Sequence, residues 1–186
     1  QTYEKLNGDN YRPILDKFKI VLLRIGLWRE EVKKEFEVFV WKVDDDGLVY
    51  SSIQVGCNKT NLSDIPVRPL LLVYTQALDG TFKDNWICCD LLIETKELQI
   101  FLNGQFHINT YDFIRSLTFE MQREFKYLGV YFTDEAQDGS DFDGIRCKDP
   151  AKLWQFDYAL IPNELNNLYS IRPEAFKIKQ HENYLE

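Results

Sequence analysis

The triplet Glu94-Thr95-Lys96, with Asp79, Asp84 and Asp90 ahead of it, comes closest to a catalytic pattern in this chain. On a strand, Glu94 and Lys96 would share one face. There the carboxylate could hold a divalent ion and the ammonium could offset charge developing on a phosphate, the outline of a metal-dependent nuclease. A solvent-facing ion pair at a strand end accounts for the same two residues. A second stretch, Asp134 to Asp143, holds Asp134, Glu135, Asp138, Asp141 and Asp143. Asp138, Ser140, Asp141 and Asp143 before Gly144 have the oxygen ligands of a calcium-responsive interaction domain, although their order is not that of an EF-hand loop. The other readings of this stretch are a solvated loop and an acidic surface presented to a basic protein.

Nucleophilic catalysis has little material to draw on. His107 and His181 are the two histidines, and His181 falls in a segment expected to fray. His107, just ahead of a helix, is expected to be a surface or capping residue. Nothing around Cys57, Cys88, Cys89 or Cys147 suggests an activated thiolate, and neither a GxSxG elbow nor a glycine-rich phosphate loop is present. Cys88 and Cys89 would point to opposite faces of a strand, so the thiols are expected to be reduced. Two glycosylation triplets, at Asn58 and Asn61, pull weakly toward a secreted protein. No catalytic residue, metal or other cofactor is expected.

The chain has 186 residues, with 22 Lys plus Arg against 30 Asp plus Glu and a net charge of −8. That field repels phosphate backbones and anionic membranes and attracts a basic partner, which argues against direct nucleic-acid binding. Neither a signal peptide nor an apolar run long enough to span a bilayer is present, so the expected location is cytoplasmic.

Two helices should organise the chain. Between Asn109 and Gly129, the residues Ile114, Leu117, Met121, Phe125 and Leu128 form one apolar face, with Asn109 as N-cap and Gly129 closing the C-terminus. Between Tyr11 and Trp28, Ile14, Leu15, Phe18, Val21, Leu22 and Ile25 do the same, with Pro13 in the first turn and Gly26 at the end. Residues 1–10 look loose, and Trp28 to Lys34 reads as a turn or the approach to a strand. Glu35 to Val43 and Leu48 to Val55, joined by Asp44-Asp45-Asp46-Gly47, read as a hairpin. Pro69 to Leu78 fits a buried strand or a short helix opened by proline, with helix slightly favoured. Trp86 to Ile93 and Glu97 to Leu102 read as a second strand pair. A strand or extension from Ala151 should lead to a short helix near Asn163 to Tyr169, and the chain should fray from Lys177. Local hairpins with outlying helices place the chain in the α+β class: one domain over residues 1–186, an antiparallel sheet with helices packed on one face.

The ordered set of Trp86, Leu91-Leu92-Ile93-Glu94, Leu98-Gln99-Ile100 and the helix end Arg123-Glu124-Phe125-Lys126-Tyr127-Leu128-Gly129 resembles the core of the YezG-like immunity proteins. The first helix and the hairpin through Asp46-Gly47 follow the same order. The resemblance covers residues 11–134, and residues 144–186 extend past it. It implies a small acidic bacterial antitoxin that binds and neutralises a cognate secreted toxin, often a nuclease. The expected partner-binding residues are then Asp134, Glu135, Asp138, Asp141 and Asp143, with Asp44, Asp45 and Asp46 as a second cluster. Tyr131 and Phe142 would be the aromatic anchors, with a place folded back onto the core as the alternative for Phe142.

Overall fold

Helix α1 (Arg12–Arg24) forms where the apolar period predicts it, and Ile14, Leu15, Phe18, Val21 and Leu22 are all buried. Its end follows from Gly26, whose φ of +78° suits a residue without a side chain. The Gly26 N–H donates to the Leu23 carbonyl (3.2 Å) and the Leu27 N–H to the Leu22 carbonyl (2.8 Å), a Schellman closure. Asn61 completes it, donating its backbone N–H to the Ile25 carbonyl (2.9 Å) and its side-chain amide to the Arg24 carbonyl (2.6 Å). The amide of one glycosylation triplet therefore serves as a helix cap. Asn61→Ala should lose about 1 kcal/mol and roughly 3 °C in melting temperature, checked by thermal unfolding.

The structure, a computed structural model, describes residues 1–8, 10–37, 41–43, 49–51, 56–74, 84–99, 105–133 and 153–186. A second helix, α2 (Glu30–Glu37), stands where a turn and the start of a strand were expected. Val32 and Phe36, four residues apart, are both buried, and Phe36 packs edge-on to Trp28 with ring centroids 5.0 Å apart. Glu30 and Glu31 favour the helix N-terminus electrostatically. The strand signal in this segment is thus overridden up to Glu37 by burial against α1.

Strands β1 (Thr2–Lys5), β2 (Trp41–Val43), β3 (Val49–Ser51), β4 (Asn58–Lys59), β5 (Pro66–Tyr74) and β6 (Trp86–Ile93) make the first sheet, in the order β1-β6-β5-β3-β2, with β4 also on β5. Every pair is antiparallel. The expected hairpin is present as β2 and β3, while its turn lies outside the described residues. The helix favoured from Pro69 is instead the middle of β5, which pairs with β6 from Val67 to Tyr74. Residues 75–78 lie outside the described residues. Pro69 is tolerated because it falls between the stretches of β5 that bond β4 and β3. Residues 2–5 are not loose. They pair with Trp86 to Cys89, and Thr2 and Tyr3 are buried.

After β6, Thr95–Glu97 forms one 3-10 turn, so no strand begins at Glu97. Residues 100–104, which carry the rest of that expected strand and the Asn103-Gly104 turn, lie outside the described residues. Helix α3 (Ile108–Gln122) follows, capped by His107, whose Nδ1 accepts the Asn109 N–H at 3.4 Å. The cap is His107 rather than Asn109, and the helix stops at Gln122, short of Gly129. Gly129 has a φ of +89° but serves the turn into the next strand.

That strand, β7 (Val130–Phe132), joins β8 (Tyr158–Pro162) and β9 (Tyr184–Leu185) in a second antiparallel sheet, order β7-β8-β9. The expected helix near Asn163 to Tyr169 is only a 3-10 turn, Asn163–Leu165. The chain beyond Lys177 does not fray, because β9 pairs with β8 and Lys179 and Glu186 exchange backbone hydrogen bonds (2.8 and 2.9 Å).

Helix α3 lies between the two sheets. Phe113, Leu117 and Met121 join α1, α2 and the Val67, Leu71, Val73, Ile87 and Cys89 face of the first sheet. Ile114 packs instead with Tyr158 and Leu160 of β8. The sheets also meet at their edges, where Gln1 donates its amino group to the Tyr131 carbonyl (2.8 Å) and accepts the Tyr131 N–H (2.9 Å). The protein has an α+β fold with antiparallel sheets.

Candidate functional site

Glu94 follows β6 and caps the 3-10 turn that holds Lys96, so the turn rather than a shared strand face brings them together. Their charged groups meet at 2.5 Å, both solvent-exposed. Each holds the other's charge, so the Glu94 carboxyl titrates below and the Lys96 ammonium above its ordinary range. The Cys57 thiol lies 3.9 Å from the other Glu94 oxygen. The acids expected upstream are not gathered here. Asp84 precedes β6 and pairs with Lys5 at 2.7 Å, about 25 Å away along the strand. Asp90 is buried within β6, where the Cys88 thiol donates to it at 3.0 Å. Asp79 lies outside the described residues. Among the described residues no three His, Cys, Asp or Glu side chains form a metal-holding group.

Cys88 and Cys89 face opposite sides of β6. Cys88 packs with Tyr3, Leu72, Trp86 and Leu128, and Cys89 lies in the main core. Burial pushes both thiols well above their ordinary range, and the Asp90 charge pushes further the same way. Both therefore stay protonated and unreactive. Burial also raises the Asp90 carboxyl.

The expected partner-binding residues Asp134, Glu135, Asp138, Asp141, Phe142 and Asp143, and the second cluster Asp44, Asp45 and Asp46, lie outside the described residues. Tyr131, the other expected anchor, is not on the surface. It is fully buried, with its hydroxyl donating to the Leu128 carbonyl (2.6 Å) and sharing a hydrogen bond with the Tyr169 hydroxyl (3.0 Å). On β7, which pairs with β8, the ring faces the second core and packs with Leu153, Phe156, Ile161 and Tyr169.

One polar constellation was invisible in the sequence. The Glu186 side chain, only 6% exposed, accepts from Arg115 Nε (2.5 Å) on α3, from the Tyr158 hydroxyl (3.0 Å) on β8, and contacts His181 Nε2 at 2.7 Å. His181 in turn stacks on Tyr184 with ring centroids 4.4 Å apart. Burial alone would raise the Glu186 carboxyl, but the hydrogen bonds from Arg115, His181 and Tyr158 outweigh it and hold the pKa at about 2. Burial and the Glu186 charge push the Tyr158 phenol upward. Beside this cluster Trp154, Phe156 and Phe176 border a shallow depression. Their rings pack on one another with centroids 4.9 to 5.8 Å apart, which makes them part of the second core. A carboxylate so fully engaged by its own chain ties the second sheet to α3.

Among the described residues, no helix is long and apolar enough to cross a membrane. No protein-family model, characterised protein or solved structure matches the chain.

Proposed function

We propose that this protein acts by stoichiometric binding, as an immunity protein that neutralises a basic toxin domain through an acidic surface. The observation that carries the reading is where the charge lies. Residues 134–152 hold six acids and three bases, and residues 44–48 three acids and no base, so these two segments carry most of the net charge of −8. Many acids elsewhere are already neutralised. Glu4 meets Lys17, Asp64 meets Lys59, Glu120 meets Arg123 and Glu124 meets Arg24. Concentrated charge of one sign accelerates encounter with an oppositely charged partner, and a few apolar anchors then set the dissociation rate.

The reading requires a gene for a basic toxin domain beside the protein's own, and the test is stopped-flow association with that domain. Binding should be nanomolar or tighter. Replacing Asp134, Glu135, Asp138, Asp141 and Asp143 by Asn or Gln should slow association about tenfold at low salt, with the melting temperature unchanged. An unchanged on-rate would remove the steering role. Failure of the parent protein to bind or inhibit the toxin domain would remove the immunity reading itself.

A further inference from the structure

Helix α1 buries Ile14, Phe18 and Val21 on one side and leaves Ile20 and Leu23 on the other, 38% and 52% exposed. These two lie one turn apart and so sit side by side. Lys17, one turn before Ile20, has its ammonium 5.9 Å from the ring centre of Tyr127, which is 74% exposed. Leu62, also exposed, follows Asn61, the residue bonded to the carbonyls that end α1. An apolar strip therefore runs from Tyr127 across Ile20 and Leu23 toward Leu62.

Its rim is positive in a protein of net charge −8. The acids beside it are spent: Glu4 on Lys17, Glu124 on Arg24, and Glu120 on Arg123. Exposed Arg12, Lys19 and Lys126 flank the strip, with Asp16 as the remaining exposed acid of α1. Lys19 is braced over the Trp28 ring at 5.2 Å, which holds its charge at the edge of the strip.

We propose that this strip is a second docking surface, for an acidic amphipathic helix. The partner's apolar side chains would cover Ile20, Leu23 and Tyr127, and its flanking carboxylates would meet Lys19, Lys126 and Arg12. The charge pattern selects this occupant. A second copy of this acidic chain meets net repulsion, and among the described residues of α1 a basic toxin domain finds no acid beyond Asp16. The surface is independent of the acidic segments assigned to the toxin, and its test does not depend on them.

The test is an NMR titration of the full chain with a synthetic helical peptide carrying a leucine stripe flanked by glutamates, beside the same peptide with lysines. The glutamate peptide should shift the amides of Lys19, Ile20, Leu23, Lys126 and Tyr127, saturating in the micromolar range. The lysine peptide should bind at least about fivefold more weakly. Leu23→Ser and Lys19→Glu, both at exposed positions, should each weaken binding about fivefold without changing the fold. Absence of saturable shifts at about 1 mM peptide, an equal response to both peptides, or full binding by Leu23→Ser would each overturn the proposal.

Discussion

Gly129→Ala should destabilise the protein by about 3 kcal/mol or more and lower its melting temperature by roughly 6–12 °C. A Cβ at this position would lie 2.9 Å from the Leu160 carbonyl oxygen and 2.9 Å from the Tyr131 hydroxyl, in a backbone with a φ of +89°. Neither neighbour can step aside at low cost. Leu160 is registered opposite Val130 in the second sheet, and the Tyr131 hydroxyl is held by Leu128 and Tyr169. The Gly129 carbonyl also accepts from the buried Thr2 hydroxyl at 2.7 Å, so a shift here loosens the contact between the sheets. Gly8 provides the control, because its φ is also positive, at +61°, but its Cβ would meet open space. Gly8→Ala should therefore lose only about 1 kcal/mol, the backbone term alone. Urea unfolding of the two variants separates the contributions, and an equal loss in both would show that the Leu160 contact costs nothing.

Glu186→Gln should cost roughly 2 kcal/mol near neutral pH, allowing for solvent screening at the partly exposed Arg115, and almost nothing near pH 2. The sign follows from the carboxyl's pKa of about 2 in the folded protein against its ordinary 4.5. A depressed carboxyl stabilises the fold fully above its unfolded value, and this contribution disappears as pH falls from about 5 toward 2. The gap between parent and variant should close over that interval in urea titrations. A gap that stayed constant with pH would mean that the charge of Glu186 is not what holds β9. Arg115→Met should cost more, about 3 kcal/mol near neutral pH, since it strands a buried carboxylate with only Tyr158 and His181 as partners.

Helix α1 was legible to within a few residues because everything that makes it is local: an apolar period, a proline at the start and a glycine at the end. Ile114, Leu117 and Met121 of α3 were legible for the same reason, whereas Phe113 was not, because α3 is buried on two sides and not on one face alone. Its end was not, since Phe125 stays buried after the helix has stopped, and a pattern of burial does not reveal where the backbone turns. Strand β1 was missed because Thr-Tyr-Glu-Lys has no apolar run of its own and becomes a strand only by pairing with β6. Strand β5 was ambiguous between strand and helix because both of its faces carry apolar side chains. The acidic segments on which the proposed function rests are purely a matter of sequence, since charge and its clustering require no fold.

By itself, then, the sequence determined the α+β class, the two apolar helix faces, the opposite facing of Cys88 and Cys89, and the acidic balance that favours a basic partner. The tertiary structure alone decided that the chain builds two sheets with α3 between them, that Tyr131 lies inside, and that Glu186 reaches Arg115 across 71 positions of sequence. The physical reason is range. Periodicity and turn chemistry act over a few residues, whereas strand partners and buried ion pairs are chosen by which distant surfaces the packed chain brings together.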